Sequence, residues 1–234
     1  MNTMVSSFLI KVCGLRDCEN IRAVAALGID LTGFVFWPGS PRCVREGSDL
    51  PDSDSCQSPR RVGVFVDEKP SVICQKIRQY RLDFIQMHGH ERPEDIERLR
   101  YGLDNAGLKE VGLIKALGIV SRQDLAAARD FEGLVSLLLF DTRCQERGGS
   151  GQKFDWSVLE SYGGDTPFLL SGGIAPDDAQ RIGSLRHPRL AGIDLNSRFE
   201  LAPGLKDVGK LRLFLSQLRL LIPNNQTTKQ TSTL

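Results

Sequence analysis

The stretch Phe8-Leu9-Ile10-Lys11-Val12-Cys13-Gly14 decides how the chain folds. Apolar residues follow one another with little alternation, the run ends in a thiol, and a glycine opens what comes next. That is the pattern of a parallel strand covered on both faces. An α/β barrel displays its catalytic groups at the carboxyl ends of such strands. Lys11 and Cys13 are two residues apart and so share one strand face. If Cys13 looks into the barrel mouth, Lys11 lies inward beneath it. A buried ammonium needs a carboxylate, and Asp194 is the candidate, because its run is the last and would neighbour the first after closure. Two roles stay open for Lys11: a structural ion pair, or a positive field that lowers the thiol pKa.

Outward from this strand, short apolar runs recur near Val35, Val64, Ile85, Leu113, Leu138, Leu169 and Ile193. Their spacing, roughly 20 to 30 residues, accommodates one strand, one helix and two loops. Helical patterns fill most gaps: Asp17 to Leu27 with Asp17 as N-cap and Gly28 as stop, then Ser71 to Tyr80, Pro93 to Leu103, Ser121 to Phe131, Asp177 to Ile182 and Leu205 to Leu221. Eight strands alternating with helices predict an α/β fold, a single-domain (β/α)₈ TIM barrel over residues 1–223. A doubly wound sheet is the structural alternative, but it usually uses fewer strands at this length. Between Glu46 and Arg60 the sequence EGSDLPDSDSCQSPR has two prolines and almost no apolar periodicity. The second helix is therefore expected to be missing or degenerate. The polar tail 224–234 is expected to be disordered.

Composition narrows the function. The chain has 234 residues, 41% hydrophobic and 25% charged, with a net charge of +1, so neither nucleic acid nor a membrane surface is an expected partner. The apolar runs are too short to cross a bilayer, and Met1 to Ser7 lacks the pattern of a secretory signal. The cysteines at 13, 18, 43, 56, 74 and 144 form no CxxC pair. Reduced thiols in a cytoplasmic protein are the expectation, with neither a disulfide framework nor a metal site.

In a barrel, all eight strand ends converge on one mouth. Here they are Cys13, Trp37-Pro38, Asp67, His88, Lys115, Asp141, Ser171 and Asp194-Leu195-Asn196. Asp141 follows Leu137-Leu138-Leu139-Phe140, and a carboxyl beside so apolar a strand can hold its proton and serve as a general acid, although a loop-anchoring role would also place it there. Three stretches suit anions: Gly148-Gly149-Ser150-Gly151 after strand six, Ser171-Gly172-Gly173 after strand seven, and Asn196-Ser197 after strand eight. Barrels often hold phosphate on the loops after strands seven and eight, although Gly172-Gly173 would also suit a tight turn. Arg42, in Pro38-Gly39-Ser40-Pro41-Arg42, suits a carboxylate or phosphate. His88 fits a ligand-facing or a structural role equally well.

With these residues assembled, the chain resembles the phosphoribosylanthranilate isomerase family of tryptophan biosynthesis. The resemblance is carried by Lys11-Val12-Cys13-Gly14-Leu15, Gly33 to Arg42, Arg61 to Val66, Gln86-Met87-His88-Gly89, Leu139-Phe140-Asp141, Gly148 to Trp156, Ser171-Gly172-Gly173 and Gly192-Ile193-Asp194, in the same order from about Leu9 to Leu218. It implies a cofactor-free barrel that converts N-(5-phosphoribosyl)anthranilate to the 1-deoxyribulose 5-phosphate by an Amadori rearrangement. It also implies that Cys13 is the general base, Asp141 the general acid and Arg42 the holder of the anthranilate carboxylate. His88, Asp194 and Lys11 join Arg42 as candidate substrate-binding residues, and Gly172, Gly173, Asn196 and Ser197 as candidate phosphate-binding residues. A monomer or a homodimer would serve.

Two departures stand out. Asn196-Ser197-Arg198 occupies the position where the family commonly has Ser-Ser-Gly, which raises the question of what backbone conformation Arg198 adopts. Trp37 stands where Tyr is usual. The related isomerase of histidine biosynthesis, which uses an aspartate at the strand-one position, is disfavoured by Cys13. A non-catalytic metabolite-binding barrel has no use for a paired Cys and Asp.

Overall fold

A computed structural model describes residues 8–51, 58–142 and 155–222. The eight apolar runs form β1 (Leu9–Cys13), β2 (Leu31–Val35), β3 (Arg60–Phe65), β4 (Phe84–Met87), β5 (Gly112–Ile119), β6 (Leu137–Thr142), β7 (Phe168–Ser171) and β8 (Leu190–Leu195). They close a parallel barrel in sequence order, with β8 pairing back onto β1. Lys11 sits opposite Leu31 of β2 on one side and Asp194 of β8 on the other.

Strand alternation sorts the core into two layers. Leu9, Leu31, Val62, Phe84, Ile114 and Leu139 belong to a cluster that plugs the barrel. Their neighbours Ile10, Val12, Phe34, Ile85, Leu113 and Leu138 belong to the larger cluster beneath the helices. Nearest the mouth, Cys13, Val35 and Val64 form a small cluster of their own.

The helices begin where local chemistry permits. In α1 (Cys18–Ala25), the Asp17 carboxylate accepts from the Asn20 amide at 2.8 Å, and the chain turns away at Gly28, φ 68°. Helices α2 (Pro70–Tyr80) and α3 (Pro93–Asn105) each open on proline, whose fixed φ and missing N–H suit the first turn. The gap after β5 winds as a 3₁₀-helix over Arg122–Phe131, with the Asp124 carboxylate accepting from the Val120 and Ser121 amides. A 3₁₀ turn at Pro176–Asp178 leads into the short α4 (Ala179–Ser184).

The last helix starts later than the sequence predicts. α5 spans Val208–Leu221, and Leu205 belongs instead to a small antiparallel hairpin of β9 (Glu200–Ala202) with β10 (Leu205–Lys206). Pro203 and Gly204, the latter at φ 84°, supply the turn. Asp207 then caps α5 by accepting from the Lys210 amide at 2.9 Å. Between β2 and β3 no helix forms among the described residues, as expected. The tail 224–234, Met1 to Ser7 and the glycine-rich stretch Gly148–Gly151 lie outside the described residues. Among those described, no helix is long and apolar enough to cross a membrane.

Candidate active site

The carboxyl ends of the strands surround a cavity of about 430 Å³ lined by Cys13, Trp37, Gln86, His88, Asp141, Ser171, Gly172, Gly173, Asp194, Asn196 and Ser197, among others. That is room for a small phosphorylated ligand. Cys13 ends β1 and Asp141 lies in β6, three strands away around the ring by the shorter route.

Below the cavity floor, Lys11 is fully buried and its ammonium donates to Asp194 Oδ1 at 3.0 Å. Ser171 Oγ donates to the other oxygen, Oδ2, at 3.4 Å. Inward-facing strand parity and the β1–β8 register deliver this pair together. Burial pushes the Lys11 ammonium down, but Asp194 and the Cys13 sulfur together more than offset it and hold it above its ordinary value. The Cys13 thiol is only 4% exposed. Burial pushes it up, and although Lys11 and Lys206 pull it down, the net direction is above its ordinary value. Lys11 thus acts in both of the senses left open for it, as an ion-pair partner and as a positive charge near the thiol, but desolvation outweighs that charge.

On the other side of the mouth, Asp141 Oδ2 lies 3.6 Å from His88 Nε2, and Gln86 Nε2 lies 2.9 Å from His88 Nδ1. Gln86 and His88 are two apart and share a strand face, so one strand presents both to the cavity.

Gly172 and Gly173 adopt φ 91° and 64° in succession. A Cβ on Gly172 would stand 2.1 Å from the Thr142 carbonyl oxygen and 2.8 Å from Asp141 Oδ1, so this glycine lets the loop after β7 press against the end of β6. At the next loop, Asn196 Oδ1 accepts from Lys206 Nζ at 2.8 Å. Arg198 does not take a positive φ; it lies exposed on the 3₁₀ turn Ser197–Phe199 and does not line the cavity.

Arg42 also stands apart from the lining. Its Nε donates to Glu200 Oε1 at 2.9 Å and its Nη2 to Oε2 at 2.5 Å. Glu200 takes a further bond from Lys206 Nζ at 2.8 Å. Burial pushes the Glu200 carboxyl up, but Arg42 and Lys206 outweigh it and hold it below its ordinary value. Burial likewise pushes Lys206 down, and here it prevails over the attraction of Glu200.

Two predicted strand ends do not reach the cavity. Lys115 lies on the outward face of β5, between the inward Ile114 and Ala116, and donates to the Gly89 carbonyl and to Glu91 Oε2 at 2.8 and 2.6 Å. Asp67, at φ 49°, accepts from the His90 amide. Conversely, Gln86, Glu200 and Lys206 were not singled out from sequence. Gln86 could have been found from its spacing to His88, whereas Glu200 and Lys206 depend on a hairpin with no local signature. Among the described residues, no group of three or more His, Cys, Asp or Glu could hold a metal ion.

Comparison with known proteins adds an independent line. A family model for N-(5'-phosphoribosyl)anthranilate (PRA) isomerase matches residues 10–217. The N-(5'-phosphoribosyl)anthranilate isomerase of Parabacteroides distasonis is 49% identical over 212 residues, covering 90% of this chain and 93% of its own length. That of Phocaeicola vulgatus is 44% identical over 212 residues, covering 90% and 98%. The crystal structure of phosphoribosyl anthranilate isomerase from Thermotoga maritima is similar with a TM-score of 0.76 at 29% identity, covering 91% of this chain and 99% of that one. A crystal structure of such an isomerase in complex with reduced 1-(o-carboxyphenylamino)-1-deoxyribulose 5-phosphate is similar with a TM-score of 0.72 at 26% identity, again covering 91% and 99%.

Proposed function

The chain belongs to the N-(5'-phosphoribosyl)anthranilate isomerase family, and on that premise we propose that Cys13 and Asp141 divide its acid–base chemistry. It is an isomerase of tryptophan biosynthesis. The observation that supports the division of roles is that Cys13 and Asp141 line the same cavity from separate strands, with the Gly172-Gly173 loop beside them, while the other lining carboxylate, Asp194, is ion-paired with Lys11.

In the proposed sequence, Asp141 protonates the ribose ring oxygen and the ring opens to a cationic Schiff base. Cys13, as thiolate, removes the C2 proton, and the resulting enolamine tautomerises to the aminoketone. Burial disfavours the thiolate, so its ionisation has to be assisted. Lys11 and Lys206 favour the thiolate from below and beside it, and the Schiff-base cation adds positive charge where the base must act.

Gly172, Gly173, Asn196 and Ser197 are the proposed phosphate contacts, through loop amides and short polar side chains. Asp194 and His88 are the proposed partners of the sugar hydroxyls. Arg42 spends Nε and Nη2 on Glu200, so the anthranilate carboxylate would meet its Nη1 side.

The test is to incubate the purified chain with freshly made phosphoribosylanthranilate and follow loss of anthranilate fluorescence. Acceleration over the spontaneous background is expected. Asp141→Asn should lower kcat by about 10²–10⁴-fold with little change in product-analogue affinity. Unchanged turnover in that variant would remove Asp141 from the mechanism.

A further inference from the structure

Lys206 does not line the cavity, yet its fully buried ammonium reaches a residue that does, Asn196. The lysine is fixed at both ends. The Asn20 carboxamide of α1 clamps its backbone, accepting from the Lys206 amide at 2.8 Å and donating to the Lys206 carbonyl at 2.9 Å. At the other end, Nζ donates to Glu200 Oε1 and to Asn196 Oδ1, both at 2.8 Å. Glu200 is held in turn by Arg42.

The direction of the Lys206–Asn196 contact follows from the donor. An ammonium has three N–H groups and no acceptor, and the ion pair with Glu200 keeps Lys206 charged. Only the oxygen end of the Asn196 carboxamide can face it. That end also settles against the turn after Cys13, where a Cβ on Gly14 would stand 2.8 Å from Asn196 Oδ1. The Nδ2 end is therefore turned the other way. It donates to no group among the described residues, and Asn196 is partly exposed where it lines the cavity.

We propose that Lys206 is a positioning residue that turns Asn196 so that its Nδ2 end faces the cavity as a donor to the ligand's phosphate. This role rests on the reading of Asn196 as a phosphate contact. An inverted Asn196 would aim Oδ1 at the anion and repel it. A serine at this position would swing its own hydroxyl proton to suit the ligand. A carboxamide has two unlike ends, and a neighbour must choose between them. Without Lys206 the charged group on that side is the Glu200 carboxylate, which draws the amide donor away from the cavity. The β9–β10 hairpin thus carries a lysine to the loop after β8 and sets its polarity.

The experiment measures binding of a reduced product analogue, and of the same molecule without its phosphate, to the full chain. Binding is the readout, because Lys206 also favours the Cys13 thiolate and its loss would lower turnover by that route. Lys206→Met should weaken the phosphorylated analogue about tenfold, the scale of one hydrogen bond to a charged group. The phosphate-free analogue should bind nearly as before, since Arg42 keeps its hold on Glu200. Removing the lysine also removes a positive charge, so the decisive comparison is made in an Asn196→Ala background. With no amide left to orient, Lys206→Met should there cost no more than about twofold. If Lys206→Met fails to fold, Lys206→Gln replaces it in both backgrounds with the same contrast expected, because a carboxamide does not dictate which end of Asn196 it meets.

Equal losses from Lys206→Met in the two backgrounds would overturn the proposal, as would equal weakening of both analogues. Asn196→Ala alone separates the two readings. If it binds both analogues as the wild type does, the phosphate contact itself is wrong. If it weakens the phosphorylated analogue while Lys206→Met does not, only the role of Lys206 fails.

Discussion

Lys11 and Lys115 are both buried lysines on barrel strands, and each is ion-paired with a carboxylate from elsewhere in the chain, Asp194 at 3.0 Å and Glu91 at 2.6 Å. They end in different places. Lys11 alternates in phase with Leu9 and Cys13, so it sits inside the barrel directly beneath the thiol. Lys115 alternates out of phase with Ile114 and Ala116, so it faces outward and fastens the loop after β4 through Gly89 and Glu91. One residue of strand phase separates an ammonium beneath the Cys13 thiol from one that braces the loop after β4.

The comparison can be broken most severely at Lys11. Lys11→Met leaves Asp194 charged and unpaired in the barrel interior, which should cost about 3–5 kcal/mol of stability by denaturant unfolding. It should also raise the Cys13 thiol further, because the cation that opposes desolvation is gone. The matched change, Lys115→Met, should cost less, about 1–3 kcal/mol. Glu91 keeps hydrogen bonds from the Asp67 and Gly89 amides. Alkylation of Cys13 in that variant should follow the wild-type pH dependence, and a displaced profile would show that Lys115 reaches the thiol after all.

A finer test uses pH alone. A thiol can serve as base only when deprotonated, and burial holds the Cys13 thiol above its ordinary value. The thiolate fraction, and with it kcat/KM, should therefore climb about tenfold per pH unit through neutrality and keep climbing past about 8.5, the free-cysteine value. In Lys11→Met the rise should move to higher pH, and in Lys115→Met it should stay in place. A kcat/KM that is flat from pH 6 to 9 would count against a thiol base.

Strand phase was legible in the sequence wherever apolar runs were long. Lys11, Cys13 and Asp194 were placed correctly because alternation and barrel closure together fix who faces whom. Lys115 follows an apolar run just as the mouth residues do, and only its phase, opposite to that of Ile114 and Ala116, turns it outward. The lack of a helix between β2 and β3 among the described residues was legible too, since Glu46 to Arg60 offers no apolar stripe to bury. Glu200 and Lys206 were not legible. They reach Arg42 and Asn196 only through a hairpin whose two short strands carry no periodic signal, in a stretch where the apolar pattern of a helix extends back to Leu205. That Glu200 holds two of the Arg42 donors was equally illegible, because the pair joins chain segments 158 residues apart.

The most direct measurement is single-turnover conversion of phosphoribosylanthranilate by Cys13→Ser, with binding of a product analogue measured on the same sample. A serine hydroxyl keeps the shape of the site but is a far weaker acid than the thiol, so it supplies no usable base. Conversion slowed by about 10²–10⁴-fold with analogue affinity retained is the predicted result. Conversion at the wild-type rate would contradict the account and release Cys13 from the chemistry.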